Sequence, residues 1–119
     1  MLRIAVIASL AITSVAFAVN PQAVNVTGSY SSNWDDVKLV QEGSRVHGTY
    51  VCCGGGTIEG RVVEGRLRYE WKGFNGTWGL GSWKVDSNKL DGTWGTGQNE
   101  ANGGRWDLVR KTQNRQIAN

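Results

Sequence analysis

Proline, histidine and cysteine are nearly missing from this chain of 119 residues. Pro21 is the only proline and precedes every strand-like run, so no strand is interrupted by one. His47 is the only histidine, and no motif sets a Ser or Cys nucleophile beside it. That removes the usual parts of a histidine metal centre and of a nucleophile–base pair, so neither a metal, nor a cofactor, nor an enzymatic activity is expected. The two cysteines are neighbours, Cys52 and Cys53, which excludes a Cys-x-x-Cys redox motif and a multi-bridge framework. Charge of one sign is scarce as well, with a formal net charge of +3. Arg66, Arg68, Glu70 and Lys72 alternate with Leu67, Tyr69 and Trp71, the pattern of a wet strand face rather than a nucleic-acid footprint.

The one long apolar run is N-terminal. Arg3, the stretch from Ile4 to Phe17 and the small-residue pattern Ala16-Phe17-Ala18 read as a secretory signal peptide over residues 1–18. The run is shorter than the roughly 20 apolar residues of a membrane span. The chain is therefore expected to be secreted or periplasmic. Residues 19–26 read as a linker, 27–111 as one β domain and 112–119 as a flexible polar tail.

Glycine and tryptophan are what the chain has in excess, 17 and 6 residues respectively. One phrase recurs: apolar, any, Gly, any, then apolar or aromatic. It reads Val26-Thr-Gly-Ser-Tyr30, Val46-His-Gly-Thr-Tyr50, Ile58-Glu-Gly-Arg-Val62 and Leu90-Asp-Gly-Thr-Trp94. On a strand its two apolar residues and its Gly share one face, where Gly permits a sharp bend or makes room for a large neighbour. Strands are predicted at 27–33, 36–41, 45–51, 57–63, 66–72, 80–86, 89–94 and 105–110, most joined by hairpin-length turns. Eight such strands bury their apolar face best by closing, so the expected fold is an all-β, eight-stranded antiparallel up-and-down barrel, with a two-sheet sandwich as the alternative. Gly95–Gly104 reads as a flexible loop, and His47 should face water.

The phrases Thr27-Gly-Ser-Tyr30, Gly48-Thr-Tyr50 and Leu90-Asp-Gly-Thr-Trp94 resemble strand phrases of the avidin and streptavidin family, within the calycin group of barrels. The resemblance implies an eight-stranded meander with a ligand, biotin in that family, at one mouth between Trp walls. Tyr50 would match the family's pocket tyrosine. Ser31 and Ser32 stand where the family has a Tyr-Asn pair, which removes two hydrogen-bonding groups for biotin.

A barrel of this size either fills its lumen or holds one small ligand. Tyr50, Trp71 and Trp94 are the expected walls of a ligand site, with Asn33, Trp34 and Trp78 at its rim. Indoles beside amides and carboxylates suit a small or carbohydrate-like ligand, which makes a non-catalytic binding protein the expected function. The alternative is a protein-binding module, an exported inhibitor or toxin-immunity protein. Its anchors would be Phe74, Trp78 and the 95–104 loop. For Cys52-Cys53 three states stay open: a vicinal disulfide shaped by Gly54-Gly55-Gly56, an intermolecular bond, or two free thiols.

Overall fold

The computed structural model describes residues 24–112; the signal peptide read at 1–18, the first part of the linker and most of the tail lie outside them. Alternating apolar and polar residues form eight strands: β1 (Gly28–Ser32), β2 (Val37–Glu42), β3 (Arg45–Tyr50), β4 (Gly56–Val63), β5 (Arg66–Gly73), β6 (Trp78–Val85), β7 (Lys89–Trp94) and β8 (Gly104–Arg110). Each pairs antiparallel with the next, and β8 returns to β1, so the sheet closes as an up-and-down barrel and not as a sandwich. A single 3-10 turn at Cys52–Gly54 is the only helical element among the described residues. No helix there is long and apolar enough to cross a membrane.

Strand limits agree with the sequence reading within one residue, except that β6 starts two residues early. The reason lies in the Phe74–Thr77 turn. Asn75 Oδ1 accepts the Thr77 N–H and hydroxyl at 3.1 and 2.8 Å, and the Gly73 N–H reaches Thr77 O at 2.8 Å. This tight closure draws Trp78 into the strand. A second difference is Val26, assigned to the linker but fully buried. Its carbonyl accepts the Tyr30 hydroxyl at 2.7 Å and its N–H donates to Gln41 Oε1 at 2.9 Å, so the fold begins before β1.

Glycine and aromatic residues oppose each other across the inner face. Trp83 and Trp106 both pair with Gly92; Tyr69 pairs with Gly60 and Gly81; Trp71 pairs with Gly79 and Tyr50 with Gly56. Each large ring thus lies over a position without a side chain, which explains how a narrow barrel takes in so many rings. The end of the barrel holding Leu39, Leu67, Leu90 and Leu108 is packed solid. Above it, Tyr69 stacks on Trp83 with centroids 4.0 Å apart and planes at 26°, and Trp83 meets Trp106 at 5.2 Å. His47 lies exposed on the outer face of β3, as expected.

All three tyrosines are inside, and burial raises each phenol above its ordinary value. At Tyr69 the Glu100 charge adds to the effect of burial, whereas at Tyr30 the Arg110 guanidinium opposes it. The folded state therefore favours the neutral phenols. Stability is intact below about pH 10, where unfolded tyrosines are still protonated, and falls as pH rises past that value. Tyrosinate absorbance is expected to stay flat through about pH 10 and to rise together with the loss of near-UV dichroism. Ordinary titration of all three in a folded sample would contradict the buried placement.

Candidate functional site at the barrel mouth

β1, β3, β5 and β7 all run toward one end, so the connections Asn33–Asp36, Val51–Gly55, Phe74–Thr77 and Gly95–Gly103 converge there. Between them the lumen opens into a cavity of about 130 Å³, lined by Trp34, Tyr50, Trp71, Trp94 and Trp106 with Cys52, Cys53, Gly73, Asn75 and Thr77. The barrel is neither hollow nor full. Aromatics from five different elements make the walls, and no charged side chain reaches the lining.

The rings meet edge to face in sequence. Trp34 contacts Trp94 at 5.7 Å, Trp94 contacts Trp71 at 5.7 Å, Trp71 contacts Tyr50 at 6.4 Å and Tyr50 contacts Trp106 at 5.6 Å. Successive planes lie between 77° and 85° apart, so neighbouring walls are nearly perpendicular. Their donors are occupied by the protein. Trp34 Nε1 donates to Arg105 O at 2.9 Å, Trp71 Nε1 to Gly95 O at 2.9 Å and Trp106 Nε1 to Ser32 Oγ at 3.1 Å. Trp94 Nε1 is different: it is sealed from solvent and has no acceptor. An unpaired buried donor costs about 1–3 kcal/mol, so packing holds this ring against its own hydrogen-bonding preference.

Four of the six expected ligand-binding residues, Trp34, Tyr50, Trp71 and Trp94, do line the cavity. Asn33 does not. Its amide donates to Arg105 O at 3.0 Å and its Oδ1 accepts the Asp107 N–H at 2.8 Å, so it clamps the β1 corner to β8 and thereby sets the position of Trp34. Trp78 is also removed from the mouth. Side chains alternate along β6, and Trp78 falls on the outer wall beside Lys72 and Thr77 at 41 % exposure. Trp106 is a further wall residue, outside the six expected from the sequence. Its position near the mouth end of β8, two residues after Gly104, was the available signal.

Cys52 and Cys53 lie side by side at the rim with their sulfurs adjacent, the placement a vicinal disulfide would require. Cys53 takes a left-handed conformation at φ 62°, and Gly54 and Gly55 follow with φ of 99° and 84°. Only glycine adopts such successive positive φ values cheaply, so Gly54-Gly55 supplies the turn the dipeptide requires. Gly95–Gly103 is more ordered than its composition suggests. Asn99 Oδ1 accepts the N–H groups of Ala101 and Asn102, Asn102 Oδ1 accepts that of Thr96, and the Gly97 N–H binds Trp78 O at 3.0 Å. Asparagine side chains here stand in for backbone turn partners.

Among the described residues no cluster of three or more His, Cys, Asp or Glu could hold a metal ion. The chain matches no known family model, no curated protein sequence and no solved structure, so the geometry of the mouth carries the functional argument.

Proposed function

We propose that this is an exported, non-catalytic binding protein that holds one small ligand in the aromatic cavity at the barrel mouth. The observation that carries the reading is a partly open space of about 130 Å³ with five aromatic walls at the end of an otherwise packed barrel. A mere core would close over its rings, because interiors pack to near-crystal density. The likeness of the strand phrases to avidin supports the same location for a ligand. Polar groups in the lining are few, and Asn75 Oδ1 is already taken by Thr77. A compact apolar-surfaced group suits such a lining better than a sugar ring with several hydroxyls to satisfy. The signal-like residues 1–18 support export.

The test is titration of the purified protein with pooled small metabolites and pooled oligosaccharides, followed by tryptophan fluorescence, with Trp94→Phe beside it. Removing the unpaired indole N–H offsets part of the packing lost, so the variant should fold. Its affinity should fall several-fold as the wall recedes. Equal affinity in a folded Trp94→Phe protein would move the site elsewhere. A second reading, a protein-binding module, is favoured by one observation: Phe74 stands 73 % exposed at the rim. Silence with both pools would turn the search toward protein partners through Phe74.

A further inference from the structure

We infer that the mouth is an aromatic cage for a methylated ammonium group, the head of a small soluble organic cation. This rests on the ligand-binding reading above and names its chemistry. Three independent features of the mouth converge on it.

The first is what the walls offer. Four indoles and one phenol surround the cavity with neighbouring planes nearly perpendicular, so a compact group inside meets aromatic rings on several sides at once. The N–H groups of Trp34, Trp71 and Trp106 are bound to protein oxygens and that of Trp94 is sealed away. The cavity is therefore walled by aromatic rings whose indole N–H groups are not free for a ligand, which leaves the Tyr50 hydroxyl and the Asn75 amide as its side-chain N–H and O–H donors. Ring faces are negative, and they attract a cation most strongly where it has been stripped of water. An ammonium carrying methyl groups loses less hydration than a bare one and fills apolar walls as well.

Size is the second feature. The partly open cavity of about 130 Å³ is large enough to take in a compact trimethylammonium head.

Charge is the third. The chain is basic overall, yet the four connections around the mouth carry Asp35, Asp36 and Glu100 and no Lys or Arg. Asp36 is paired with Lys111 at 2.7 Å and Glu100 with Arg68 at 3.9 Å, whereas Asp35 makes no ion pair among the described residues. The cations nearest the rim, Lys111, Arg68 and Arg105, are each paired with an acid, so the one carboxylate on these connections left without an ion pair among the described residues is Asp35, and it favours the approach of a cation. The same rim disfavours a ligand whose far end is anionic.

Isothermal titration of the purified protein with choline, with its neutral isostere bearing a tert-butyl group in place of trimethylammonium, and with glycine betaine tests this. Choline should bind saturably, at least tenfold tighter than the isostere, and tighter than glycine betaine. Trp34→Leu keeps an apolar rim but removes a π face from a partly exposed position, so the domain should stay folded. It should weaken choline about tenfold and leave the isostere nearly unchanged. Equal or tighter binding of the isostere would overturn the cation assignment while leaving the small-ligand reading intact. If phosphatidylcholine vesicles are captured and free choline is not, the soluble-cation proposal fails. If neither choline nor any pooled compound binds, the ligand reading fails with it.

Discussion

Trp83→Ala is expected to lower the free energy of unfolding by about 4 kcal/mol and the midpoint of thermal unfolding by on the order of 20 °C. Trp83 is fully buried, stacks on Tyr69 and meets Trp106 edge to face. Its Nε1 donates to Trp106 O at 2.9 Å, which ties β6 to β8 across the lumen. The position facing Trp83 on β7 is Gly92, so no side chain on that strand can reach into the hole, and Leu67 faces it from β5. A cavity the size of an indole would remain under the mouth, and Trp106, a wall of the site, would lose its support. Domains of this size are stable by only about 5–15 kcal/mol, so the loss is a large fraction of the total. Trp83→Phe separates the parts: it keeps a ring on Tyr69 but gives up the hydrogen bond and some area, and should cost about 2 kcal/mol. Chemical denaturation of the three proteins measures both. A cost below about 1 kcal/mol for Trp83→Ala would mean that the barrel collapses around the gap, contrary to a lumen braced by rings.

The fold was legible because its two signals agree. Period-2 alternation located the strands, and short turns such as Gly43-Ser44 and Glu64-Gly65 left sequential hairpins as the simplest topology. Val26 was harder to place from its neighbours. It belongs to a recurring phrase whose other members sit in strands, yet it precedes β1 and contributes by plugging the barrel end.

The site was only half legible, for a physical reason. Alternation assigns a side chain to the inside or outside of a strand, but not to a depth along the barrel axis. Trp83 and Trp71 share the inward face, yet one is packed core and the other is cavity wall. Depth depends on strand tilt and register, which hydropathy does not encode. Trp78 illustrates the complementary difficulty: one side-chain hydrogen bond pattern, Asn75 to Thr77, shortened the turn and carried the indole to the outer wall. Asn33 looked like a rim contact because its amide could serve a ligand, whereas both its polar atoms are taken by β8.

The second large effect comes from adding a single methyl group. Gly92→Ala is expected to cost about 3 kcal/mol, because an alanine Cβ there would overlap the Ser82 carbonyl oxygen of the neighbouring strand. Backbone cannot swing aside as a flexible side chain can. Trp83 and Trp106 flank the same position from both sides, and the Gly92 N–H is held by Asp107 Oδ1 at 3.1 Å. Relief would require β6 and β7 to move apart at this pair. Gly48 and Gly60, at the same place in the recurring phrase, meet Lys38 O and Arg68 O in the same way. In three of its four copies the phrase therefore marks a strand-to-strand backbone approach, whereas Gly28 faces the Arg110 side chain. Gly43→Ala is the control. Gly43 has φ 66° with open space where a Cβ would go, so alanine there should cost about 1 kcal/mol through backbone conformation alone. Denaturant midpoints of the two variants decide between the causes. If Gly92→Ala is no worse than Gly43→Ala, the close approach is not what the glycine serves. If Gly92→Ala is several-fold costlier, the repeated Gly is the device that lets six strands' worth of aromatic rings share one narrow lumen and still leave a mouth open at the top.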